Sequence, residues 1–515
     1  MLSISRLFKP VYTISILAAL VFSILSESFY IEAFFKPFIA ACLIFHLVLV
    51  VYRLFFLREI TEDLCSYKLY RLLLALFSLS MLISSCLHLQ TQQTLDNIYL
   101  SCINLSLVSL GSCFNQQDCR FSNKSACYWI FWTLQICFCL IALISLALLV
   151  SKISAVIVDG DHIAFKLGLL GGRLWGPMNP NISSICALLS MIAAAVILLL
   201  DSKHKLCLAK PAKVFLYFQL VLQVLMFLLM QSRGSLLFAL GFILVILFVY
   251  KPGSAAKGAY ASSLKATVVR MTIAALSMAA LFFASYSFNQ AFSVYAQDMQ
   301  AKKLIVLDQW RPKAFKTQEA IDAYDPSLEH VAPLASDPNE EIYKRQDKKV
   351  NKELREELIY QQSEDYENRL EEFDSNGRFQ LWKQAVPMIA QRPFFGWGPK
   401  SLELGYSNYF NSFQIEHSLL GGSFHNQYLS ALASYGMVGS IVLIAFIVGA
   451  FCALASRTTC YNFLFAVLAA CLGGFLAHAM VESLLVSRMN CLALIFWIML
   501  SVLWLHSAGK FQDRT

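Results

Sequence analysis

Charge is what this sequence has least of. Asp, Glu, Lys and Arg supply 14% of its 515 residues, against 58% hydrophobic residues, and the mean hydropathy is +0.59. A soluble chain carries roughly a quarter charged residues, so a soluble enzyme or a solvated scaffold is excluded and a polytopic membrane protein is implied. Cysteine is missing from one long stretch: none of the fifteen lies between Gln290 and Phe424. That suits a loop facing an oxidising space, with the thiols kept in lipid or cytosol. No CxxC pair and no Cys/His cluster has metal-ligand spacing, so neither a metal nor another cofactor is expected. There is no internal repeat at a fixed period and no low-complexity tract.

What the chain has instead is apolar runs of bilayer length. They fall near 10–28, 36–57, 69–89, 95–115, 126–150, 180–200, 213–230, 234–250, 268–289, 425–454, 461–483 and 488–507, about twelve helices by window reading. The fourth is the weakest, diluted by Asn97, Ser101, Asn104, Ser106 and Ser109. The first follows Arg6 and Lys9 and precedes no small-residue cleavage site, so it reads as a retained span. The net charge of +8 is placed for topology, with no call for nucleic acid. Arg53, Arg58, Lys68, Arg71, Arg120, Lys124, Lys203, Lys205, Lys210, Lys213, Lys251, Lys257, Lys265 and Arg270 all fall in loops of one side. By the positive-inside rule both termini are cytoplasmic and the longest loop is external.

The expected fold is therefore all-α. Residues 1–289 hold helices 1–9, 290–424 form a large helical external loop or lid, and 425–515 hold helices 10–12 with a short cytoplasmic tail. Within the first part, 151–179 is rich in Gly and Pro and reads as an irregular, re-entrant or surface-lying external passage. Within the loop, Ser336-Asp337-Pro338-Asn339 starts a charged helix expected to run over 338–373, with Gly377 as terminator. Its charges read as a solvated face. A shorter amphipathic helix over 378–389, bent at Pro387, brings the chain back to the membrane.

A few groups in this apolar setting can do chemistry. His425 stands at the mouth of the tenth helix, on a helical stripe with Leu429, Leu432, Gly436 and Gly439 whose glycines would admit a neighbouring helix. An imidazole with a pKa of about 6.5 can accept a proton from a substrate reached through water, or it can simply bond a loop carbonyl. Arg233 sits in the tight external turn Gln231-Ser232-Arg233-Gly234. Its guanidinium fork suits the two phosphates of a lipid diphosphate, or it snorkels. Arg378 and Arg173 are further external arginines, the second in a glycine-rich setting. His478 and Glu482 are one turn apart and read as a polar pair, or as support for the site. Glu416-His417 caps the central stretch. Together these groups fit transfer of something carried on a lipid phosphate to an acceptor hydroxyl.

The ordered set of motifs resembles the bacterial O-antigen ligase/polymerase superfamily. His425-Asn426, nine residues, Gly436, two residues and Gly439 is similar to the ligase histidine pattern. Ser232-Arg233-Gly234 resembles the family's arginine turn, and Gly377-Arg378 with Trp382, Pro393, Gly396 and Gly398 resembles the segment ahead of the histidine. Arg173, Gly176 and Asn179-Pro180-Asn181 resemble the pattern before the sixth span. The resemblance implies a GT-C-like, metal-independent, inverting glycosyltransferase of the bacterial inner membrane, with its active site facing the periplasm. The donor would be a glycan on undecaprenyl diphosphate and the acceptor a lipid A–core hydroxyl, both reached among membrane lipids. His425 would be the catalytic base, and Arg233, Arg378 and Arg173 would hold the diphosphate. Asn426, His478 and Glu482 would support them. An O-antigen polymerase, a protein O-oligosaccharyltransferase and, from another class, a transporter or flippase stay open.

Overall fold

A computed structural model describes residues 2–28, 32–56, 68–87, 91–109, 123–159, 162–170, 173–202, 208–249, most of 272–288, 304–308, 378–398, 424–455, 463–486 and 490–507. The protein is mostly helical, and its helices lie where the apolar runs predict them. They are α1 (Leu2–Glu27), α2 (Glu32–Phe56), α3 (Lys68–Cys86), α4 (Thr91–Ser109), α5 (Asn123–Val150), α6 (Pro180–Ser202), α7 (Lys210–Met230) and α8 (Arg233–Val249). After the long loop come α9 (Arg378–Gln391), α10 (Gln427–Ala455), α11 (Phe463–His478) and α12 (Cys491–Ser507). Among the described residues, four helical stretches are long and apolar enough to cross a membrane: Tyr128–Val150, Pro180–Ser202, Lys210–Met230 and Gln427–Cys452. The charged helix expected over 338–373 and the pair Glu416-His417 lie outside the described residues.

The chain divides into two compact units. The larger holds 1–143, 177–289 and 374–515, and its helices pack through small residues. Lipid is as apolar as a leucine, so association in a membrane rests on close approach and interhelical hydrogen bonds. The α8–α11 pair is built this way: a Cβ on Gly241 would collide with the Gly473 carbonyl, and one on Gly474 would stand 2.8 Å from the Phe238 carbonyl. Phe238 and Phe475 meet edge to face beside these glycines. Elsewhere a buried polar ladder ties helices together. Ser190 donates to the Gln135 amide oxygen at 2.7 Å, and the Gln219 amide donates to Ser190 at 2.9 Å. Asn97, Ser101, Asn104 and Ser106 of α4 are buried too, Asn104 donating to the Tyr435 hydroxyl of α10 at 2.8 Å.

The smaller unit, 144–176 with 290–373, corrects the all-α expectation. Residues 151–179 are not irregular throughout: they carry β1 (Ser154–Asp159), β2 (His162–Leu170) and β3 (Arg173–Trp175). A fourth strand, β4 (Leu304–Asp308), comes from the long loop, and the sheet order is β3-β2-β1-β4. Asp159 pairs with His162 and Leu170 with Arg173, so each antiparallel connection has two residues. β4 lies parallel to β1, Val306 opposite Val156. The physical reason is plain in retrospect. Val156-Ile157-Val158 is β-branched, and Gly160-Asp161 and Gly171-Gly172 are hairpin dipeptides.

Candidate functional site

The site is built where helix ends of the larger unit meet. Phe424 is fully buried, and His425 follows in the left-handed region at φ 46°, so it precedes the helix instead of riding on it. Asn426 is the cap of α10: its side-chain oxygen accepts from the Tyr428 and Leu429 amides at 3.0 and 3.1 Å, the usual asparagine solution to orphan N–H groups. The Asn426 amide donates to Ser483 at 3.0 Å, and the Gln427 amide donates to the Ala479 carbonyl at 2.8 Å. The loop after α11 is thereby fastened to the start of α10.

That loop carries Glu482, which the sequence offered only as a supporting partner of His478. The structure makes it the hub. Arg378 Nη2 lies 2.8 Å from its Oε1, His425 Nδ1 lies 3.1 Å from its Oε2, and the Asn181 amide donates to Oε1 at 3.0 Å. The expected helical pairing with His478 does not occur, because α11 ends at His478 and Glu482 belongs to the loop beyond. Glu482 is 10% exposed. Burial works to raise its pKa, but the hydrogen bond from His425 and the nearby charges of His425, Arg378 and His478 outweigh it, so the carboxyl is held below its ordinary range.

Two of the three arginines are placed by the first turn of a helix. Arg378 opens α9, whose Leu381, Ala385 and Met388 form the buried stripe against Phe424 and Ala433. Trp382 locks the same end by donating to the Phe424 carbonyl at 3.0 Å. Arg233 opens α8, exposed, and both its chain neighbours reach the cluster. Ser232 donates to the Asn181 amide oxygen at 3.1 Å, and a Cβ on Gly234 would lie 2.9 Å from His478 Nε2. His478 is buried. Arg173 lies in the smaller unit on β3, its guanidinium 5.6 Å from the Trp175 ring centre.

One feature of α10 differs from expectation. Gly436 does not extend a continuous stripe from His425; it breaks the helix, at φ 65° and ψ −170°, a region open to glycine alone. Into the break fits the strap 393–398. Trp397 and Gly398 donate to the Ala433 and Ser434 carbonyls at 2.7 and 2.8 Å, while Met437 and Val438 donate to the Pro393 and Phe394 carbonyls at 2.7 and 3.1 Å. The strap supplies the partners that the interrupted helix lacks. It also ties α9, with Arg378, to α10, with His425. Gly439 does meet a neighbouring helix, with Ser80 of α3 at 3.1 Å from its notional Cβ.

Chemically the cluster is a carboxylate that holds an imidazole by Nδ1 and a guanidinium by one nitrogen. Fixing Nδ1 as the donor makes Nε2 the basic nitrogen, on a side chain that is 43% exposed. Arg378 spends one N–H group on Glu482 and keeps a fork able to meet an anion. Among the described residues no group of three His, Cys, Asp or Glu could hold a metal ion. Asn181, Ser232 and Ser483 were not singled out from the sequence as site residues. Asn181 and Ser232 stood inside quoted motifs, but only the fold shows that both lead to Glu482.

The fold and site define a helical membrane protein with an Arg–Glu–His cluster gathered around a nearly buried carboxylate at its helix ends. A sequence profile described as O-antigen ligase matches residues 218–444, from within α7 to within α10. Over that stretch the chain is similar to the O-antigen ligase family, as the motifs indicated. The match takes in Arg233, Arg378, His425 and Asn426 and ends before His478 and Glu482. No curated protein matches the chain.

Proposed function

We propose that the protein transfers a glycan from undecaprenyl diphosphate to a sugar hydroxyl of lipid A–core, as a metal-independent, inverting O-antigen ligase. The observation that carries this reading is the joint hold of Glu482 on His425 and Arg378. His425 Nε2 takes the proton of the acceptor hydroxyl as its oxygen attacks the anomeric carbon. The bond to the diphosphate breaks on the opposite face, its electron pair leaves on the phosphate oxygen, and the configuration inverts. Arg378 and Arg233 hold the diphosphate as its charge develops. Glu482 stabilises the imidazolium formed, and Asn426 fixes the backbone that presents it. His478 lines the turn that carries Arg233.

The same reading sets the remaining apolar helices across the bacterial inner membrane, about twelve spans in all. Both termini are cytoplasmic, and the site and the 290–424 loop are both on the periplasmic side. The test is the product made by purified protein from a defined diphosphate-linked donor and lipid A–core. A single glycan joined to the core with inverted linkage, formed in excess chelator and lost in His425→Ala, is expected. Lengthened lipid-linked chains would make the enzyme a polymerase, and glycan on a protein acceptor an oligosaccharyltransferase. Unchanged transfer by His425→Ala would refute the mechanism.

A further inference from the structure

One face of α9 and its strap is closed against the protein, and the other is open. Phe379, Val386 and Phe394 are 61, 60 and 60% exposed, large apolar groups that an aqueous lid has no reason to present together. The strap lies at the break in α10. From Met437 to Ala455 the second part of α10 spans about 28 Å at ~1.5 Å per residue, close to the ~30 Å hydrocarbon layer. A span over Met437–Ala455 would put the break at Gly436 at the edge of that layer, with the preceding turns above it.

The lipid-facing side of α10 runs on into the strap. Ile441, Ile444 and Val448 are exposed at helical spacing, a stripe that meets acyl chains in a spanning helix. Just above it, exposed Met437 and Val438 donate to the Pro393 and Phe394 carbonyls. Phe394 continues the same apolar surface. Basic groups flank it: Lys383 is exposed on α9, and the Arg392 guanidinium lies 4.1 Å from the Trp397 ring centre. Apolar insertion beside cations and a tryptophan is the pattern of an interfacial helix on phospholipid.

We propose that α9 and the strap are a membrane-surface anchor. Phe394 and Val386 insert among the upper acyl chains of the leaflet on the side of the polar cluster, and Lys383 and Arg392 contact lipid phosphates. Since α9 begins at Arg378, the anchor fixes the height of that guanidinium above the leaflet. The anchor does not depend on which reaction the site performs.

The test labels the full chain with an environment-sensitive fluorescent amino acid at Phe394, in phosphatidylethanolamine/phosphatidylglycerol vesicles. Expected is a blue-shifted emission lost to lipids brominated high in the acyl chain as strongly as that of the same label at Ile441, and little affected by aqueous iodide. Iodide quenching without bromolipid quenching would overturn the proposal, because the surface would face water. Insensitivity to both quenchers would also overturn it, since the chain itself or a second copy would then cover the patch. Should the label at Phe394 prevent folding, a photo-crosslinking residue at Val386 decides: phospholipid adducts support the anchor, and adducts only to protein, or none, refute it. Neither readout requires glycan transfer, so failure of the anchor and failure of the proposed reaction are distinguishable.

Discussion

Glu482→Gln removes one charge and adds one donor at the hub, and its consequences can be worked through atom by atom. The carboxylate now accepts from Arg378, Asn181 and His425. A glutamine has one accepting oxygen. Keeping it on Arg378 and Asn181 turns the amide nitrogen toward His425 Nδ1, which must then accept, and the imidazole proton moves to Nε2. The ring loses its basic nitrogen on the substrate side. General-base catalysis is worth on the order of 10²–10⁴ in rate, about 3–5 kcal/mol of barrier. The expected result is a fall in kcat of that size with a smaller change in donor KM, because Arg233 and Arg378 remain. The assay is initial-rate transfer from a defined diphosphate-linked donor by purified protein, with circular dichroism to confirm that the helices are intact. A variant that keeps kcat within about threefold of the parent, far short of the loss of general-base catalysis, would refute the assignment of Glu482 as the group that orients His425.

Four further outcomes are expected. Gly436→Ala forces a Cβ onto the Phe394 carbonyl in a glycine-only backbone region, and should lower the unfolding midpoint in detergent by the equivalent of about 1–3 kcal/mol. Arg378→Lys keeps the charge but loses the fork, so donor affinity should fall on the order of tenfold, about one charge-assisted hydrogen bond. Gln427→Ala strands the Leu485 and Val486 amides, which donate to the Gln427 side chain at 2.9 and 3.3 Å; the cost should be about 1–3 kcal/mol for each group left buried, and Gln427→Glu should recover most of it. Acid should weaken the hub with a definite sign. Because the Glu482 carboxyl is held below its ordinary value, its contribution is complete above a pH of about 4.3 and is lost as pH falls through the lower folded value. Thermal unfolding between neutral pH and pH ~3 should show a step that Glu482→Gln lacks.

Much of the fold was legible because lipid imposes a simple code. Apolar runs of bilayer length had to become helices, and α1 to α8 and α10 to α12 begin and end close to where composition changes. Arg378 was found because it follows Gly377 at the head of a short amphipathic segment near the re-entry into the membrane, although the face that the fold buries is that of Leu381, Ala385 and Met388. The strands were missed because the glycines at 160, 171 and 172 were weighed as breakers, when each pair of flanking residues alternates as a hairpin. Gly436 was misjudged for a similar reason. A glycine in an apolar helix signals close packing, and nothing in the local sequence says that the intruder is a loop, the strap 393–398, in place of another helix. Glu482 is the instructive case. Its spacing from His478 fits a helix, and only the end of α11 at His478 turns the carboxylate toward other partners.

The profile match ends in α10, yet the cluster is closed by groups outside it, Glu482 after α11 and Asn181 at the start of α6. A histidine and two arginines alone could bind an anion anywhere on a membrane face, and alone they would repel one another. The carboxylate changes that. It neutralises part of the charge, fixes the imidazole tautomer, and is itself positioned by Asn181, with Ser232 behind it, from a third and fourth helix end. The arginine turn of α8 therefore reports to His425 through Ser232, Asn181 and Glu482, a chain of contacts of 3.1, 3.0 and 3.1 Å. A substitution at Asn181 should thus affect both the histidine and the arginine turn.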